Sequence, residues 1–194
     1  MCRIFIILLP AQTGKLCYTN RKASKERCYA HEKTADTIRQ KKEVDWKQMM
    51  DLILTFAQRD ERIRAVAMNG SRLDENITPD RFQDYDVVYF VREMDSFLAD
   101  PAWVDYFGPR IIMQTPEDGR LFPPELGGWY TYLMLFEDEN RIDLMLIPIS
   151  DIKRYCKADT LTKVLLDKDG LFPALPAPSD AMYHIKRPSA DQYA

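Results

Sequence analysis

The chain has 194 residues, of which 46% are hydrophobic and 29% charged, and its formal net charge is -3. That length suits one domain with an appendage, and the charge argues against a dedicated nucleic-acid binder, which needs a basic surface. The few cysteines (Cys2, Cys17, Cys28 and Cys156) point to a reducing cytoplasm rather than a disulfide-built secreted scaffold. Cys28 and His31 make a single metal-type step with no second pair to complete a zinc site.

In chain order, residues 4–9 are apolar but too short to span a membrane, and no clear small-residue cleavage site follows them. Residues 15–42 are polar and mostly basic without sustained periodicity, so residues 1–43 are expected to form a disordered or loosely helical extension. The domain proper is expected over residues 44–170. Asp45 and Gln48 make a capping box. Trp46, Met49, Met50, Ile53, Phe56 and Ala57 then recur at helical spacing, which predicts a helix ending near Gln58. A strand is expected over 63–69.

That strand delivers the stretch MNGSRLDENITPDRFQDYDVVYF, residues 68–90. Gly70 permits a tight bend and a close approach to a ligand. Ser71 adds a hydroxyl, and the turn's N–H groups form an anion-binding concavity. In the apolar run that follows, Asp84, Asp86, Val88 and Phe90 share one parity, so both carboxylates face the same side of a strand. Two residues along a strand span roughly 6.6 Å. Carboxylates that close repel each other unless a cation lies between them. Mg²⁺, which takes carboxylate oxygens and substrate phosphates together, answers that need.

Asp100, Pro101 and Gly108 bracket a short helix whose buried face is expected to be Trp103 and Phe107. A strand is expected over 110–114 and a loop over 115–128. Strands over 130–136 and 141–147 are joined by a polar connection as a hairpin. Ser150 is expected to cap a helix over 151–157, and residues 161–166 read as a short strand or helix end. Residues 171–180 are proline-rich and read as a linker. The outcome is α/β (α+β), a mixed β-sheet flanked by helices.

Gly-Ser followed by a loop and then Asp-x-Asp inside a strand resembles the signature of the DNA polymerase β-like nucleotidyltransferases. That superfamily uses a third carboxylate on a neighbouring strand, and Asp143, in ENRIDLMLIPI, matches it. The resemblance tightens in MMDLILTFAQRDERIRAVAMNGSR, FQDYDVVYFV and YLMLFEDENRIDLMLIP. With their spacing, these are similar to the aminoglycoside 6-adenylyltransferases, the streptomycin-modifying resistance enzymes. The resemblance implies a nucleotidyltransferase fold and transfer of AMP from ATP to the 6-hydroxyl of streptomycin, with pyrophosphate leaving. Carried over by motif, Gly70 and Ser71 would hold the triphosphate, and Asp84, Asp86 and Asp143 would hold two Mg²⁺; Arg72, next to the turn, is a candidate for countering phosphate charge, and a surface ion pair explains it equally well. ATP and streptomycin are the implied partners, with neither nucleic acid nor membrane involved.

Streptomycin carries guanidinium groups, so its pocket should offer carboxylates; Asp95, Glu125 and Glu137 are candidates. Family members continue into a helical C-terminal domain. Residues 171–194 are therefore expected to be a linker and stub, with that domain mostly missing. Two other readings stay open at this point. One is a non-catalytic truncated remnant that binds nucleotide or a partner. The other is a minimal nucleotidyltransferase of the toxin–antitoxin type.

Overall fold

In the computed structural model, which describes residues 47–80, 82–120 and 124–185, the alternating apolar runs form one six-stranded sheet. The strands are β1 (Ile63–Asn69), β2 (Tyr85–Val91), β3 (Arg110–Gln114), β4 (Tyr130–Phe136), β5 (Arg141–Pro148) and β6 (Thr162–Asp167). Their order across the sheet is β3-β4-β5-β2-β1-β6. Neighbours are antiparallel except β2 and β5, which run parallel at the centre. The extension over 1–43, the Asp45 cap and Trp46 lie outside the described residues. The expected strands 63–69 and 110–114 and the hairpin are present, while Asp84 sits one residue before β2.

Six of the seven residues in each of β1 and β2 are buried, so these strands are covered on both faces. On one face lies helix α1 (residues 47–59). Its Met49, Met50, Ile53 and Ala57 pack with Val66, Met68, Val87 and Tyr89. The Tyr89 hydroxyl donates to the Ile53 carbonyl at 2.7 Å, which satisfies the polar end of a fully buried ring. On the other face the small side chains of Ala65 and Ala67 leave room for Phe90, Trp129, Ile152 and Tyr155. Trp129 and Tyr155 therefore stand on the same face as Asp86 and Asp143, which belong to that parity of β2 and β5.

The connections differ in detail from expectation. Helix α2 (Asp95–Ala99) follows β2 without having been anticipated. The next helix, Pro101–Phe107, is a 3-10 helix; Asp100 caps it by accepting the Ala102 N–H at 3.0 Å. With three residues per turn, Val104 and Phe107 align as its buried side. Trp103 is only partly buried, and its indole donates to the Phe97 carbonyl at 3.2 Å. The helix expected over 151–157 is shorter: α3 (Ile152–Tyr155) follows a 3-10 turn, Ile149–Asp151, and carries no side-chain cap. Ser150 does not cap it. Its hydroxyl turns to Asp151 Oδ1 at 3.3 Å, and Asp151 Oδ2 accepts the Trp129 indole N–H at 2.8 Å. The short strand or helix end expected over 161–166 is the edge strand β6, one residue further on at each end.

After β6 the chain stays against the sheet. The Leu171 and Phe172 N–H groups both donate to Asp167 at 3.0 Å, and the Phe172 ring meets Phe90 edge-on at 4.9 Å. Further on, the Ser179 N–H donates to the Thr160 carbonyl at 2.9 Å. Among the described residues, no helix is long and apolar enough to cross a membrane.

Candidate active site

At the end of β1, Asn69 lies opposite Asp86 in the antiparallel register, and the chain turns away at Gly70. Gly70 has φ +80°, and a Cβ there would lie 2.1 Å from Asp86 Oδ2. The backbone angle therefore favours glycine strongly, and any side chain there would have to displace the Asp86 carboxylate. The turn continues as a 3-10 helix, Ser71–Leu73. The Ser71 carbonyl accepts from Gln83 Nε2 at 3.3 Å.

Arg72 reaches across the same loop. Its Nε donates to the Asp84 carbonyl at 2.7 Å, Nη2 donates to the Gln83 carbonyl, and the guanidinium lies 3.9 Å above the Tyr85 ring. Burial pulls its pKa down, against the opposing pull of Tyr85, Asp84 and Asp86. In this position Arg72 clamps the backbone that presents Asp84.

The parallel pairing of β2 with β5 sets Asp86 directly beside Asp143. Adjacent strands are about 4.8 Å apart, and ligand oxygens of Asp84, Asp86 and Asp143 all lie within 4.8 Å of one another. Burial, then Asp84 and Asp143, push the Asp86 carboxyl up to about 7. Burial also raises Asp143, with Arg141 holding it back. The three oxygens are the hard donors that Mg²⁺ prefers. Gly70 brings main chain against them, and a cation would favour the ionised form that burial and the neighbouring carboxylates disfavour at Asp86. The residues fit a divalent metal.

Arg141, absent from the motifs, also stands against the triad. Arg141 donates from Nε to Asp143 Oδ1 at 2.9 Å and from Nη2 to Oδ2 at 2.6 Å; its Nη1 lies 3.5 Å from Asp84 Oδ2. Its position two residues before Asp143 on one strand was the available signal, since i and i+2 share a face.

Beside the acids runs a cleft of about 360 Å³, lined by Asn69, Asp86, Trp129, Thr131, Asp143, Tyr155 and Asp159 among others. Its floor is a polar chain. The Tyr155 hydroxyl donates to Asn69 Oδ1, and Asn69 Nδ2 donates to Asp159 Oδ2 at 3.2 Å. The buried Thr131 hydroxyl has no hydrogen-bond partner among the described residues. Asp95, Glu125 and Glu137, the candidate carboxylates for a cationic acceptor, are exposed and do not line this cleft. Asp159 does.

A family model described as streptomycin adenylyltransferase matches residues 44–194. An aminoglycoside 6-adenylyltransferase of Bacillus subtilis (strain 168) is 52% identical over 147 residues, which are 75% of this chain and 52% of the relative. One from Campylobacter jejuni is 48% identical over 143 residues, 74% of this chain and 49% of the relative. Among solved structures, the crystal structure of an aminoglycoside 6-adenyltransferase from Bacillus subtilis superposes with a TM-score of 0.56 at 46% identity. It covers 75% of this chain and 48% of that one. The chain thus spans about half the length of the relatives it matches.

Proposed function

The chain belongs to the streptomycin adenylyltransferase family, and from that premise we propose that it carries the catalytic site of an aminoglycoside 6-adenylyltransferase. The reaction is transfer of AMP from Mg-ATP to the 6-hydroxyl of streptomycin, with release of pyrophosphate. It confers resistance to the drug in the cytoplasm. The observation that carries this reading is the convergence of Asp84, Asp86 and Asp143 within 4.8 Å, beside a turn whose backbone angle strongly favours glycine.

In this reading Asp84, Asp86 and Asp143 hold two Mg²⁺. When bound, these ions supply Lewis-acid stabilisation of the attacking and leaving oxygens. The chain's own groups position the substrates. The Gly70–Ser71 turn offers main-chain N–H groups and a hydroxyl to the triphosphate. Arg72 adds positive charge behind that turn and keeps Asp84 in place through the Gln83 and Asp84 carbonyls. Phosphoryl transfer is mostly positioning and charge stabilisation, so a rigid sheet that fixes these groups is suited to it. The cleft accepts the aminoglycoside, with Asp159 facing its cationic groups and the Thr131 hydroxyl as a further hydrogen-bonding group.

The test is pyrophosphate release from ATP and Mg²⁺, with and without streptomycin, beside Asp86→Asn. Release that depends on streptomycin and drops on the order of 100-fold in the variant is expected, as for loss of a group that stabilises transition-state charge. Streptomycin-dependent release that persists unchanged in Asp86→Asn would remove the triad from the reaction.

A further inference from the structure

Arg141 stands at the N-terminal end of β5, two residues from Asp143 and on its face. It engages both oxygens of Asp143 through a two-pronged fork, and its third nitrogen approaches Asp84. A planar guanidinium bonded to both oxygens is among the strongest partners a carboxylate can have. A divalent cation requires those same oxygens, and like charges cannot share them without mutual repulsion. The arginine side chain is nevertheless 50% exposed, while Asp143 is 18% exposed. The guanidinium can therefore leave for solvent without opening the core, whereas the carboxylate stays.

We propose that Arg141 is the built-in counter-cation of the acid triad, exchanged for the divalent metal. Its guanidinium draws Asp143 and Asp84 together in the metal-free protein and gives up Asp143 as the metal site forms. The proposal rests on the reading of the triad as a metal site. It makes Arg141 a positioning residue that keeps three converging carboxylates compatible with folding before metal arrives. The opposite role is also physically coherent: an arginine that stays in place and preorganises Asp143 for the metal. The two roles predict opposite changes in metal affinity when the arginine is removed.

The experiment is Mn²⁺ binding, by electron paramagnetic resonance and calorimetry, to the wild-type chain, Arg141→Gln and Arg141→Lys, with melting temperatures recorded in chelator. Loss of one charge-assisted fork is expected to tighten Mn²⁺ binding about tenfold in Arg141→Gln. The same variant should melt lower without metal and show a larger rise when Mn²⁺ is added. Arg141→Lys keeps the charge but loses the fork, and it should fall between the two. It carries the test alone should Arg141→Gln fail to fold. Equal or weaker Mn²⁺ binding in the variants overturns the exchange while leaving the metal site standing. No Mn²⁺ binding by any of the three overturns the metal reading, and the exchange with it.

Discussion

Asp86 concentrates the chemistry of the site in one carboxyl group. Burial, then Asp84 and Asp143, raise it from 3.8 to about 7. Between those values the unfolded chain binds fewer protons than the fold at this group. Its contribution therefore makes metal-free stability decline as pH rises through that window, and the loss is absent below 3.8. Melting curves in chelator are expected to show the decline, and Asp86→Asn to flatten it. An Asp86→Asn profile with the same slope as the wild type through that window would contradict the raised Asp86 carboxyl. The shared face of Asp84 and Asp86 was legible from strand alternation alone. The same alternation put Arg141 on the face of Asp143, but an arginine beside a polar hairpin turn reads as a solvated side chain, so that signal was passed over.

The central pair of strands decides where the site forms. Alternation made the individual strands and the β4–β5 hairpin legible, since turn and register are local. The parallel pairing of β2 with β5, which puts Asp86 beside Asp143, joins segments far apart in the chain and leaves no local periodicity. The shortened α3 was hidden for a similar reason. Asp151, at the N-cap of α3, gives its carboxylate to Trp129, a partner supplied by the loop before β4, and Ser150 lies inside the preceding 3-10 turn. Helix α1 fastens this arrangement from the opposite face. Ile53 is fully buried, and its carbonyl takes the Tyr89 hydroxyl from the strand that bears Asp86. Ile53→Ala is expected to cost about 2–5 kcal/mol in urea unfolding, the range for deleting such a side chain from a core. A loss below about 0.5 kcal/mol, as for a surface substitution, would mean that α1 does not brace β2.

Across the whole molecule the sheet separates a closed face from a working one. The α1 side is packed with large aromatic and aliphatic residues, among them Tyr85, Tyr89 and Phe136. The other side carries the triad and a cleft whose polar floor links Asn69, Tyr155 and Asp159. Those three residues come from the end of β1, from α3 and from the segment before β6, and no motif joins them. The motifs singled out the three carboxylates that the fold brings together and the Gly70–Ser71 turn beside them, while the cleft emerged only once the chain was folded. The proposed function requires that the triad hold the metals that carry the nucleotide. It is tested most directly by anomalous scattering from crystals of the chain grown with Mn²⁺ and a non-hydrolysable ATP analogue. Two peaks in contact with Asp84, Asp86 and Asp143, with the triphosphate against Gly70 and Ser71, are the predicted result. A nucleotide bound elsewhere, or bound at the turn with no peak at the triad, would contradict it.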